Sequence, residues 1–107
     1  MKAKWLLSFA LLGLSVAGAR SYDIVLSNPS KAGSLQLERG SYRVAVEGND
    51  KVRFKDMKTG KEFETAAKIE DSGRKFSETA VESRQVNGSE QIQEIDLAGT
   101  RTKVEFN

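Results

Sequence analysis

The sequence contains no histidine and no cysteine. The first absence removes the side chain that most often acts as a general base near neutral pH. The second removes thiol nucleophiles, disulfides and any lipid-modified cysteine, and together they remove the preferred ligands of zinc. No Asp-x-Asp-x-Asp-Gly calcium loop occurs, so neither a metal nor a cofactor is expected. Helical periodicity is missing too: beyond the N-terminal apolar run, no segment keeps a 3.6-residue apolar repeat for three turns. Internal repeats and low-complexity tracts are absent.

What is present begins with Lys2 and Lys4, an apolar run from Trp5 to Val16, and the small residues Ala17, Gly18 and Ala19 ahead of Arg20. This is the pattern of a secretory signal peptide, residues 1–19, with cleavage expected after Ala19. A transmembrane anchor is the competing reading, but the run is shorter than the ~20 apolar residues a span requires. Export implies a periplasmic or extracellular location. The whole-chain net charge of +2 includes Lys2 and Lys4, and the segment after Ala19 is neutral. Without a basic excess, nucleic-acid binding is not expected. Residues 20–107 suffice for one small domain, which would bury about 60 to 65% of its unfolded-chain surface.

Alternation at period two dominates that domain. Tyr22, Ile24 and Leu26 share one face of a first strand, ended by a turn at Asn28 to Gly33. Leu35 and Leu37 form a short strand or edge. Tyr42, Val44 and Val46 then alternate with Arg43, Ala45 and Glu47. A loop at Gly48-Asn49-Asp50 sets Val46 opposite Val52, Val44 opposite Phe54 and Tyr42 opposite Asp56. A second turn at Met57 to Gly60 sets Phe54 opposite Phe63, with Lys55 facing Glu62 and Arg53 facing Glu64 outside. One register satisfies both faces, and a slip of one residue would invert them.

The third strand is expected to run from Glu62 to Glu70. After a turn at Asp71 to Arg74, Lys75 to Glu82 is read as a strand with Phe76 opposite Ile69. That register places Glu78 on the inner face, where a carboxylate is unfavourable unless paired. Asn87-Gly88 is a turn signal. A closing hairpin is expected from Glu90 to Leu97 and Thr100 to Phe106, pairing Ile95 with Thr102, Asp96 with Arg101 and Glu94 with Lys103. Ile92 falls out of phase with Ile95 and Leu97, which calls for a bulge near Gln93. The fold class that follows is all-β: an antiparallel β-sandwich or small barrel of seven to eight short strands.

Few residues point to chemistry. Arg43 beside Lys55 is a like-charge pair that could contact an anion. Tyr22 is the one aromatic that could serve a sugar, and Glu78 is the one carboxylate with an unusual expected environment. These four are the candidate binding residues, and no catalytic residue is assigned. The first strand and Lys75 to Glu82 are the expected exposed edges, where a protein partner or a second copy could add a strand.

Leu37-Glu38-Arg39-Gly40-Ser41-Tyr42-Arg43-Val44-Ala45-Val46 resembles the hairpin of carboxypeptidase-regulatory-like and PEGA-type β-sandwich domains. Ile95 to Thr100 with Lys103 to Phe106 looks like the ending of small secreted bacterial β-proteins of uncharacterised activity. The resemblance implies a β-sandwich and brings no site residues with it. The expectation is an exported, non-enzymatic module with a structural or protein-binding role. A carbohydrate-binding module or a carboxylate-dependent hydrolase is the alternative.

Overall fold

The computed structural model describes residues 20–106, so the expected signal peptide lies outside the described residues. The alternating segments form ten strands: β1 (Tyr22–Leu26), β2 (Ser30–Ala32), β3 (Leu35–Leu37), β4 (Gly40–Glu47), β5 (Lys51–Asp56), β6 (Glu62–Ala66), β7 (Lys68–Asp71), β8 (Ala80–Val86), β9 (Ser89–Asp96) and β10 (Thr102–Glu105). They make two sheets, the first ordered β1-β4-β5-β6 and the second β3-β2-β9-β10-β7 with β8 also on β9. The architecture is a β-sandwich, with no helix among the described residues.

The meander has the register its turns dictate. Val44 pairs with Phe54, Val46 with Val52 and Tyr42 with Asp56, while Phe54 also faces Phe63. Asp56 closes the second turn, because its carboxylate accepts from the Lys58 amide at 2.8 Å and its carbonyl accepts from Gly60 at 2.8 Å. Ile24, Leu26, Tyr42, Val44, Val52 and Phe54 of the first sheet meet Ala32, Leu37, Ile92, Ile95 and Val104 of the second in one buried core.

The chain changes sheets at three places. Between β1 and β2 it turns through Asn28 and Pro29. Between β3 and β4 it passes Glu38 and Arg39, where the Tyr42 phenol donates back to the Glu38 carbonyl at 2.7 Å. That tether, four residues long, is of the kind made by tyrosine corners in β-sandwiches. At Ala67 the third crossing occurs, just after the Ala67 amide extends the β5 and β6 register by one more bond, to the Asp50 carbonyl at 3.0 Å. Gly33 lies against the Thr65 hydroxyl with a φ of +60°, where a Cβ would come within 2.7 Å of Oγ1; glycine satisfies both the dihedral and the close approach.

Several expectations are corrected. The third strand does not run unbroken to Glu70: β6 and β7 belong to different sheets, and Ile69 faces Val104 rather than Phe76. Residues 75–79 are not strand. Phe76 instead exchanges backbone hydrogen bonds with Gly99 and Thr100, and Glu78 is exposed in the loop before β8, which removes the buried-carboxylate conflict. Asn28 to Gly33 is not wholly turn, because Ser30–Ala32 pairs antiparallel with β3 and parallel with β9. That parallel contact is the one departure from an antiparallel sandwich among the described strands. The closing hairpin is offset by two residues, giving Val104 with Ile95 and Lys103 with Asp96. The bulge is where the phase break places it: Glu82 pairs with Glu94 and Ser83 with Ile92, leaving Gln93 extra.

Candidate functional site

The outer face of the first sheet carries the basic residues of β4 and β5. Arg43 donates to Asp23 of the neighbouring β1 at 3.1 Å, so the Arg43 and Lys55 pair has an acid on one flank and Glu62 opposite Lys55 on the other. Arg53 is only 8% exposed and lies 2.6 Å from Glu47, 3.1 Å from Glu62 and 3.9 Å from Glu64. Tyr22 is half-buried and packs against the core, so it is not an exposed platform. Of the four candidate residues, the fold brings only Arg43 and Lys55 together, while Glu78 belongs to a loop leading into the second sheet.

The second sheet presents a different surface. Strand pairing lays its outward residues in two rows across β8, β9, β10 and β7. One row reads Ala80, Asp96, Lys103, Glu70, and the other Glu82, Glu94, Glu105, Lys68. Acids outnumber bases, and the two lysines are engaged within their own strands: Lys103 with Glu105 at 3.1 Å and Lys68 with Glu70 at 3.2 Å. Glu82, Glu94 and Asp96 are left adjacent, each offering a carboxylate oxygen within 4.8 Å of the others.

The electrostatics follow from that crowding. Glu94 has its pKa pushed up to about 7, first because its protonated carboxyl can donate a hydrogen bond to Asp96, then through desolvation and the charges of Asp96 and Glu82. Lys103 opposes the shift. Three oxygen-only side chains so arranged can share protons, hold a hard cation, or place a protonated acid beside an ionised one.

A raised folded-state pKa means that the folded protein binds the proton more tightly than the unfolded chain does. The stability this group contributes is complete below about pH 4.5 and lost as the pH rises to about 7, on the order of 1 kcal/mol once solvent screening of the partly exposed carboxyl is allowed for. Thermal unfolding in chelator-containing buffer should therefore show a larger decline between about pH 5 and pH 7.5 for the wild type than for Glu94→Gln. Parallel profiles would contradict it.

None of these three acids stands out by local spacing, because Glu94 and Asp96 merely alternate with Ile95. Glu82 reaches them through the β8 and β9 pairing, which the expected strand at Lys75 to Glu82 obscured. The bulge signal at Gln93 is the one sequence feature that could have located the pairing. No family model, curated protein or solved structure matches the chain.

Proposed function

We propose that the chain is an exported, non-enzymatic β-sandwich module with a structural or protein-binding role, working through the edge of its second sheet at β8. The carrying observation is that β8 pairs only with β9 among the described strands, while Glu82, Ser83, Arg84 and Gln85 are exposed along its middle. An open edge of seven residues offers unpaired backbone groups to an added strand. The sequence Ala-Val-Glu-Ser-Arg-Gln-Val is self-complementary when read antiparallel about Ser83. Glu82 of one copy then faces Arg84 of the other, twice by symmetry, so a second copy is the occupant that the charges favour.

Light scattering coupled to size exclusion tests this reading. The protein should elute as a dimer, and Arg84→Glu, which sets like charges opposite each other at both positions, should shift it to monomer. A wild-type monomer at the highest soluble concentration would overturn the proposal. A carbohydrate-binding role loses its aromatic platform with Tyr22 packed inward. The carboxylate-dependent hydrolase remains a second reading because Glu94 and Asp96 pair a raised acid with a close carboxylate; glycoside turnover abolished in Glu94→Gln would establish it.

A further inference from the structure

We infer that Glu82, Glu94 and Asp96 form a binding site for a single divalent cation, of the calcium class, on the outer face of the second sheet. The inference stands whether or not β8 recruits a second copy. Two independent observations support it.

The first is geometric. Glu82 and Glu94 are directly opposed across the β8 and β9 ladder, and Asp96 follows Glu94 by two residues on the same face. Their oxygens lie within 4.8 Å of one another. Ligands at the roughly 2.3 to 2.6 Å typical of calcium can be separated by up to about 5 Å on opposite sides of one ion. One small ion can therefore touch all three.

The second concerns Asp96 alone. The residue is only 9% exposed, and its Oδ1 is buried with no hydrogen-bond partner among the described residues. Buried carboxylate oxygens are ordinarily partnered, because losing water without replacement is costly. Apart from a protonated Glu94, the facing neighbours supply no donor. Ala80, opposite on β8, has none in its side chain, and Lys103, opposite on β10, has its ammonium on Glu105. A cation held by Glu82 and Glu94 would complete the surroundings of this oxygen.

The donor set selects the class of ion. Three carboxylates with no nitrogen or sulfur favour a hard cation over zinc or copper. Magnesium usually takes one or two carboxylates in a strict octahedron, whereas calcium accepts three and fills its larger shell with water from an open side. Glu82 is exposed and provides that side. Bound there, the ion would tie the edge strand β8 to β9 by side chains as well as by the backbone. Sequence reading expects no metal because it searches for a contiguous loop, and these ligands converge through sheet pairing.

Calorimetric titration of the chelator-treated protein with calcium chloride tests the site, with magnesium chloride and sodium chloride as parallel titrants. Saturable binding of one calcium per chain is expected, in the micromolar to millimolar range, with a calcium-dependent rise in melting temperature. Asp96→Asn should weaken binding by about tenfold or more. Glu82→Gln, at an exposed position where folding is little affected, should weaken it too. Absence of calcium binding in the wild type would overturn the inference. So would an equal calcium response in the wild type and in the folded Glu82→Gln, Asp96→Asn double variant, since that would mark nonspecific screening.

Discussion

Replacing Phe54 with alanine is expected to lower the free energy of unfolding by about 3 to 5 kcal/mol, a large share of the roughly 5 to 15 kcal/mol that holds a typical domain together. Phe54 is fully buried at the centre of β5. It meets Tyr42 edge-on, with ring centroids 6.4 Å apart, and Phe106 at 6.2 Å. Val44 and Phe63 flank it in the ladders on either side. These neighbours are fixed by backbone hydrogen bonds to other strands, so they cannot close over the space the ring leaves. The cavity cost therefore adds to the lost transfer energy. With no disulfide to constrain the unfolded chain, nothing covalent offsets the loss. Urea unfolding followed by circular dichroism measures it, and a cost below about 1 kcal/mol would show that the ring is not clamped between the sheets.

The region around Phe54 was legible in the sequence because its contacts are local. Consecutive hairpins with short loops leave few registers, and both the apolar and the charged faces select the same one. Legibility fails where pairing is remote. Alternation in Lys68–Asp71 shows that a strand exists but not that its partner is β10, some thirty residues on. Ala67 gives no outward sign that the chain changes sheets there. The offset in the closing hairpin has another cause: a slip of two residues preserves inside and outside, so hydrophobic pattern cannot detect it. Charge cannot decide either, since Asp96 meets a base in both registers, Arg101 in one and Lys103 in the other. The five residues of the turn decide it, with the Leu97 amide bonded to the Thr102 carbonyl and the Thr100 hydroxyl to the Leu97 carbonyl.

The candidate site inherits that failure. In the register expected from sequence, Glu94 would face Lys103 and look satisfied. In the fold it faces Glu105 on one side and Glu82 on the other. A pair that reads as complementary is thus replaced by a row of three acids, and the interest of the surface follows from the replacement. The basic face of β4 and β5 shows the reverse. It invites an anion when read strand by strand, and assembly supplies Asp23, Glu47, Glu62 and Glu64 to answer it.

Arg53→Met is expected to cost about 2 to 3 kcal/mol, below the roughly 3 to 5 kcal/mol of a fully buried pair, since Glu62 and Glu64 are nearly half exposed. Methionine keeps the apolar stem that covers the sheet, so the loss reports charge rather than packing. What remains is Glu47 beside Glu64 with no guanidinium between them. Glu47 is already held above the usual carboxylate range, by desolvation first and then by its contact with Glu64, and Arg53 is what pulls it back. Removing Arg53 raises it further. A raised carboxyl favours the folded state when protonated, so the variant should regain stability as the pH falls through the carboxylate range, provided it is compared with the wild type at each pH. Adding Glu47→Gln should restore part of the loss at neutral pH, because the partly buried charge is then gone. If the double variant is no more stable than Arg53→Met alone, the cost lies in the lost side-chain packing and hydrogen bonds of Arg53, not in the acids it leaves behind.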